Sequence, residues 1–219
     1  MKNFMRIFSL ALCALTLVSP AMAAQQKLSD KDVKQFVAAI GDVEGFADKL
    51  KEEGKDKALE AAVEPESGKE FTPYGNGVEL LKKKFPEDYT KLTGLVTKHG
   101  FKSPENWAST GDTVMHSYMA VKIEEQNPNA FKEIKEVTPE MKAKMPPEAI
   151  QQFERATAMM KLVAAAPAEN KAVVKAHMGE IDAWLDRAAK AEAEAAATVP
   201  KVDAAPKADA AKPAEKKAE

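Results

Sequence analysis

Cysteine is almost absent. The single Cys13 lies within the apolar start of a 219-residue chain, and once that start is removed no thiol remains. Disulfides, thiol redox chemistry, thiolate metal sites and covalent haem attachment are excluded together. Strand signals are missing as well: no run of alternating β-branched residues occurs, and the pair Asn76-Gly77 follows a loop-like FTPYG instead of joining two such runs. Long apolar stretches are lacking, since the longest covers residues 7–18, well short of the roughly 20 residues a membrane-spanning helix needs.

Catalytic signatures are equally scarce. The chain contains no H-E-x-x-H, no G-x-S-x-G, no phosphate loop and no dinucleotide fingerprint. The residues three before His116 and His177 are Thr113 and Val174, which excludes the Glu-x-x-His pairs of a dinuclear iron bundle. An excess of positive charge is also missing. With Lys2 and Arg6 set aside, thirty of the 32 basic residues face 34 acidic ones, near −4, and such a balance does not suit nucleic acid. No catalytic residue, metal ligand or cofactor site is expected, and the chain is not read as an enzyme.

What is present begins with a leader. Lys2 and Arg6 precede the apolar run, and Ala21-Met22-Ala23 closes it, the order of a secretory signal peptide over residues 1–23 cut between Ala23 and Ala24. Leu12 before Cys13 is not the small residue a lipid attachment site needs. A soluble periplasmic protein without stable membrane insertion is the expectation. At the other end, residues 196–219 are built from Ala, Lys, Pro, Asp and Glu, too poor in large apolar groups to offset the entropy of ordering, so a disordered tail is expected.

Between them, residues 24–195 carry helical periodicity almost throughout, which predicts an all-α domain, a single irregular bundle of about six to eight helices. Ser29 with Asp32 starts the first helix, which Gly41 and Gly45 are expected to break, with a polar continuation over 51–62. Residues 64–77 read as a loop. Helices are expected over 78–85, from Pro86 to His99-Gly100, and from Ser103-Pro104 to about Glu125. Later ones pass through Phe131, start at Pro139 and at Pro147, and run unbroken from Pro167 to Ala188.

On the helix after Ser103, Trp107, Gly111, Val114, Tyr118 and Val121 share one face. His116 and Asp112 fall opposite, as a solvent-facing i, i+4 pair worth a few tenths of a kcal/mol. His177 sits at the centre of an apolar face and is the histidine expected to be buried. The pattern H-G-F-x-S-x-x-x-W-x-x-x-G-D-x-V, here His99 to Val114, resembles one found in small secreted helical proteins of Gram-negative bacteria. The resemblance implies a periplasmic helical domain and no chemistry. A fainter likeness, at Val137-Thr138-Pro139-Glu140-Met141, is to periplasmic helical chaperones with Leu-Thr-x-x-Gln repeats, with Val in place of Leu and Met in place of Gln.

Two functional readings follow, with an unrecognised enzyme third. Seven methionines lie from Met115 to Met178, and methionine suits adaptable apolar surfaces. This favours a protein that acts by contact with another envelope protein, as an adaptor or chaperone-like binder. The alternative is a small apolar ligand held between helices. Trp107, Tyr118, Met159, His177 and Trp184 are the candidate contact residues.

Overall fold

The computed structural model describes residues 25–63, 71–134 and 138–198. The expected leader and most of the expected tail lie outside the described residues. The chain divides into two units, Met1–Met178 and Gly179–Glu219. Among the described residues every regular element is helical: α1 (Asp30–Glu52), α2 (Asp56–Val63), α3 (Pro73–Lys84), α4 (Pro86–Lys98), α5 (Pro104–Gln126), a 3₁₀ turn (Ala130–Glu133), α6 (Pro139–Lys144), α7 (Pro147–Ala164), α8 (Ala168–Lys175) and α9 (Met178–Thr198). The protein is all-α. None of these helices is long and apolar enough to cross a membrane.

α1 starts with the capping box foreseen at Ser29. The Ser29 hydroxyl accepts from the Asp32 amide, and the Asp32 carboxylate accepts from the Ser29 amide at 2.8 Å. The helix does not stop at Gly41. A Cβ built at Gly41 or Gly45 meets nothing within 4 Å, so both glycines sit on open surface, while Val33, Phe36, Ala39, Ile40, Phe46 and Leu50 continue the buried stripe past them. Glycine costs about 1 kcal/mol per helical site, and the buried stripe outweighs it. Termination waits for Gly54, whose φ of 73° places it in the left-handed region. The Gly54 amide donates to Lys51 O and the Lys55 amide to Leu50 O, closing the end. Gly100, with φ 88°, ends α4 in the same way through Gly100 N to Thr97 O and Phe101 N to Val96 O. His99, at that end, also meets Asp42 of α1 at 2.9 Å.

Lys55 then locks the start of α4. Its ammonium bonds both Glu53 and the buried Asp88, and Asp88 also accepts from Lys91 at 2.8 Å. The Asp88 partnership, and after it Glu53, holds Lys55 above the ordinary lysine range; Lys55, then Lys91, hold the Asp88 carboxyl below its own.

α5 is the central element, packed against α1, α3, α4, α7 and α8. Ser103 caps it by accepting from the Asn106 amide at 3.2 Å. The unbroken helix expected from Pro167 to Ala188 is two: the amides of Ala176 and His177 bond back three residues, to Val173 O and Val174 O, which tightens the last turn of α8 and ends it. His177 is buried as expected and donates from Nε2 to Asp30 at the start of α1, 2.7 Å away.

The extended segment ahead of α1 is held by a residue the periodicity does not single out. Asn170 on α8 is fully buried; its amide oxygen accepts from Leu28 N at 2.8 Å and its amide nitrogen donates to Gln26 O at 2.8 Å. Asn170→Ala leaves both backbone groups without these bonds in a buried setting, and should lower unfolding free energy by about 2 kcal/mol. A urea titration checks this value.

Candidate functional site

α3 begins inside the stretch read as a loop: Tyr74, Gly75, Asn76 and Gly77 are helical. Pro73 opens the helix at its first position, where a missing N–H costs nothing. Its N-cap, Thr72, makes no side-chain cap bond. The cap comes from another helix. Asp112 of α5 accepts from Tyr74 N and from Gly75 N, each at 3.0 Å. A carboxylate at a helix N-terminus takes up two orphan donors and meets the positive end of the dipole.

His116, one turn on from Asp112, adds a third tie. Its Nε2 lies 2.9 Å from Phe71 O, and since a carbonyl only accepts, the imidazole donates there. Both side chains are buried, Asp112 at 5% exposure and His116 at 3%. This corrects the solvent-facing pair expected from the helical wheel. α5 is covered on its second face too: α3 packs along it, tied to Asp112 and His116 at its start, and Thr110, Thr113 and Ser117 of α5 are buried as well. Burial holds the His116 ring below its ordinary pKa, against the opposing pull of the Phe71 carbonyl.

The close approach of α3 depends on Gly111. A Cβ there would meet Phe36 Cε2 at 2.6 Å and Tyr74 Cδ2 at 3.2 Å. Above it, one ring each from α1, α3 and α5 meet. Phe36 and Tyr74 stand edge to face at 5.7 Å, Tyr74 and Trp107 at 5.3 Å, and Phe36 and Trp107 are tilted at 6.1 Å. The His99–Val114 pattern thus acquires structural roles: Gly100 ends a helix, Ser103 starts one, Trp107 fills the joint, Gly111 admits Phe36 and Asp112 caps α3.

Where α3 and α5 diverge they leave an open cleft of about 680 Å³. The α3 wall carries Thr72, Gly75, Val78, Glu79, Lys82 and Lys83; the α5 wall carries Glu105, Ser109, Asp112, Thr113 and His116, and Gln25 and Gln26 close one side. At the rim Lys82 bonds Glu105 at 2.8 Å, and Tyr89 donates to the same carboxylate at 2.8 Å. The Lys82 pair, above all, pulls Glu105 down to about 2. Lys83 pairs with Glu79 at 2.5 Å.

None of the five sequence candidates lines this cleft. Trp107 is 4% exposed in the aromatic joint, Tyr118 is half-buried with Lys122 Nζ 5.5 Å from its ring centre, and Met159 is half-buried on α7. His177 is committed to Asp30, and Trp184 is buried on α9. Among the described residues no group of three or more His, Cys, Asp and Glu is placed to hold a metal ion. The wall residues Thr72, Gly75 and Ser109 were missed by periodicity. A usable signal existed: between Asn106 and Val121 the only formal charge is Asp112, too few for a helix with a solvated face.

No protein-family profile matches the sequence, and no curated protein or solved structure matches it.

Asp112→Ala should cost about 3 kcal/mol, the scale of charge-assisted hydrogen bonds lost in a buried site, and Asp112→Asn about half, because an amide offers one acceptor oxygen. Chemical denaturation compares the two. Gly111→Ala should cost about 1–3 kcal/mol by overpacking against Phe36. For His116, the folded-state pKa lies below the unfolded one, so the unfolded chain binds more protons as the solution is acidified. Stability should therefore fall as pH drops below about 6.5, and this part of the pH dependence should flatten in His116→Gln.

Proposed function

We propose that the chain is a secreted periplasmic protein that works by binding and not by catalysis, and that it binds a small ligand in the α3–α5 cleft. The observation that carries this reading is the cleft itself. Its volume falls in the range of about 300–1,000 Å³ usual for small-molecule sites, and its floor is fixed by the three bonds that Asp112 and His116 make to the start of α3. Ligand sites need such preorganised walls, because ordering them on binding would cost affinity.

One feature weighs against chemistry, and another against the protein-contact reading. Asp112 and His116, the titratable groups at the floor, are engaged with backbone groups, which leaves neither poised as a base. The contact reading that rested on an adaptable methionine surface draws less support. Met115, Met119, Met145, Met159, Met160 and Met178 are all half-buried, and Met119 packs with Ile123 and Phe131 against Ala120, Val163 and Ala166.

Native mass spectrometry of the protein purified from the envelope of its source cell tests the reading. Ser109 is exposed on the cleft wall, so Ser109→Trp fills the cleft with little effect on stability, within about 0.5 kcal/mol. Added mass on the wild-type chain that is missing from Ser109→Trp is the expected result. A bare mass on both would sink the ligand reading and return contact with an envelope protein to first place.

A further inference from the structure

Every formal charge on the cleft wall already has a partner within the protein. Asp112 is taken by two backbone amides, Lys82 by Glu105, and Lys83 by Glu79. His116 donates to Phe71 O, and its burial disfavours the charged ring. The polar groups left over are of another kind. Thr72, the helix N-cap, makes no side-chain cap bond, and Ser109 is exposed on the opposite wall, where its backbone carbonyl accepts from the Thr113 hydroxyl. Gln26 donates one amide hydrogen to Thr110 Oγ at 3.4 Å and keeps its carbonyl oxygen for a ligand.

A charge carried to this floor would lose water: an anion would meet the Asp112 carboxylate, and a cation would find the oxygens of that carboxylate already held by two amides. A ligand hydroxyl or amide, by contrast, both donates and accepts, as do Thr72, Ser109 and Gln26. On the reading that the cleft binds a small ligand, we infer that this ligand is uncharged and bears hydroxyl or amide groups, recognised by Thr72, Ser109 and Gln26 over the apolar patch of Val78.

Saturation-transfer NMR titrations of the full chain test this with four polar probes and one apolar control. N-acetylglucosamine and N-acetylalanine methylamide are uncharged; glucosamine and unblocked dialanine carry charge; toluene is the apolar control. One or both uncharged probes should bind saturably, and the charged ones at least tenfold more weakly. Thr72→Val should weaken the uncharged probe three- to tenfold, the value of one hydrogen bond, and Ser109→Trp should abolish binding. Ser109→Gln serves as a second, flexible block, and thermal melts confirm that each variant is folded. Which uncharged probe binds separates a sugar source from a peptide-like one. If a charged probe or toluene binds as tightly and is lost in Ser109→Trp, the ligand class is wrong while the cleft stands. If no probe binds, or binding ignores both Ser109 variants, the class and the cleft reading fall together.

Discussion

One buried carboxylate organises this domain. α3 enters its first turn on Pro73 with an N-cap, Thr72, that makes no side-chain cap bond, so its exposed amides need a partner from elsewhere. Asp112 supplies it from the middle of α5. The bond pattern has two consequences that follow by geometry alone. It fixes the position of α3 along α5, and it places at the base of the cleft a carboxylate already bonded to two amides and an imidazole bonded to a backbone carbonyl.

The aromatic joint makes the same contact possible from the other side. Phe36, Tyr74 and Trp107 come from three helices and share edge-to-face or tilted contacts, each worth roughly 0.5–1.5 kcal/mol beyond burial. They meet only because Gly111 has no side chain. Gly111 and Asp112 are therefore one device of two adjacent residues: the glycine lets α1 and α3 approach, and the aspartate holds α3 once it has arrived.

Much of the fold was legible in the sequence, and the reasons are local. The Ser29–Asp32 capping box, Pro86 and Pro104 at helix starts, and Gly100 beyond a helix end all act through their own backbone neighbours. What was not legible depends on partners distant in sequence. Gly41 and Gly45 resemble helix breakers until the buried stripe of α1 is seen to continue past them. FTPYGNG resembles a loop until Asp112 caps it from 37 or 38 positions away. His116 resembles a surface residue because a helical wheel assumes one buried face, whereas α5 has two. The candidate contacts chosen for being large and apolar went mainly into packing, as Trp107 did, while the cleft is walled by small polar residues such as Thr72 and Ser109 that carry no periodic signal.

Asp112 caps α3 across the helix interface, and a through-hydrogen-bond scalar coupling tests this without perturbing the molecule. In uniformly ¹⁵N,¹³C-labelled protein the account predicts correlations from the Asp112 side-chain carboxyl carbon to the amide nitrogens of Tyr74 and Gly75, with both amides protected from solvent exchange. Missing correlations together with rapid exchange at Tyr74 and Gly75 would contradict it, and would leave the cleft without its floor.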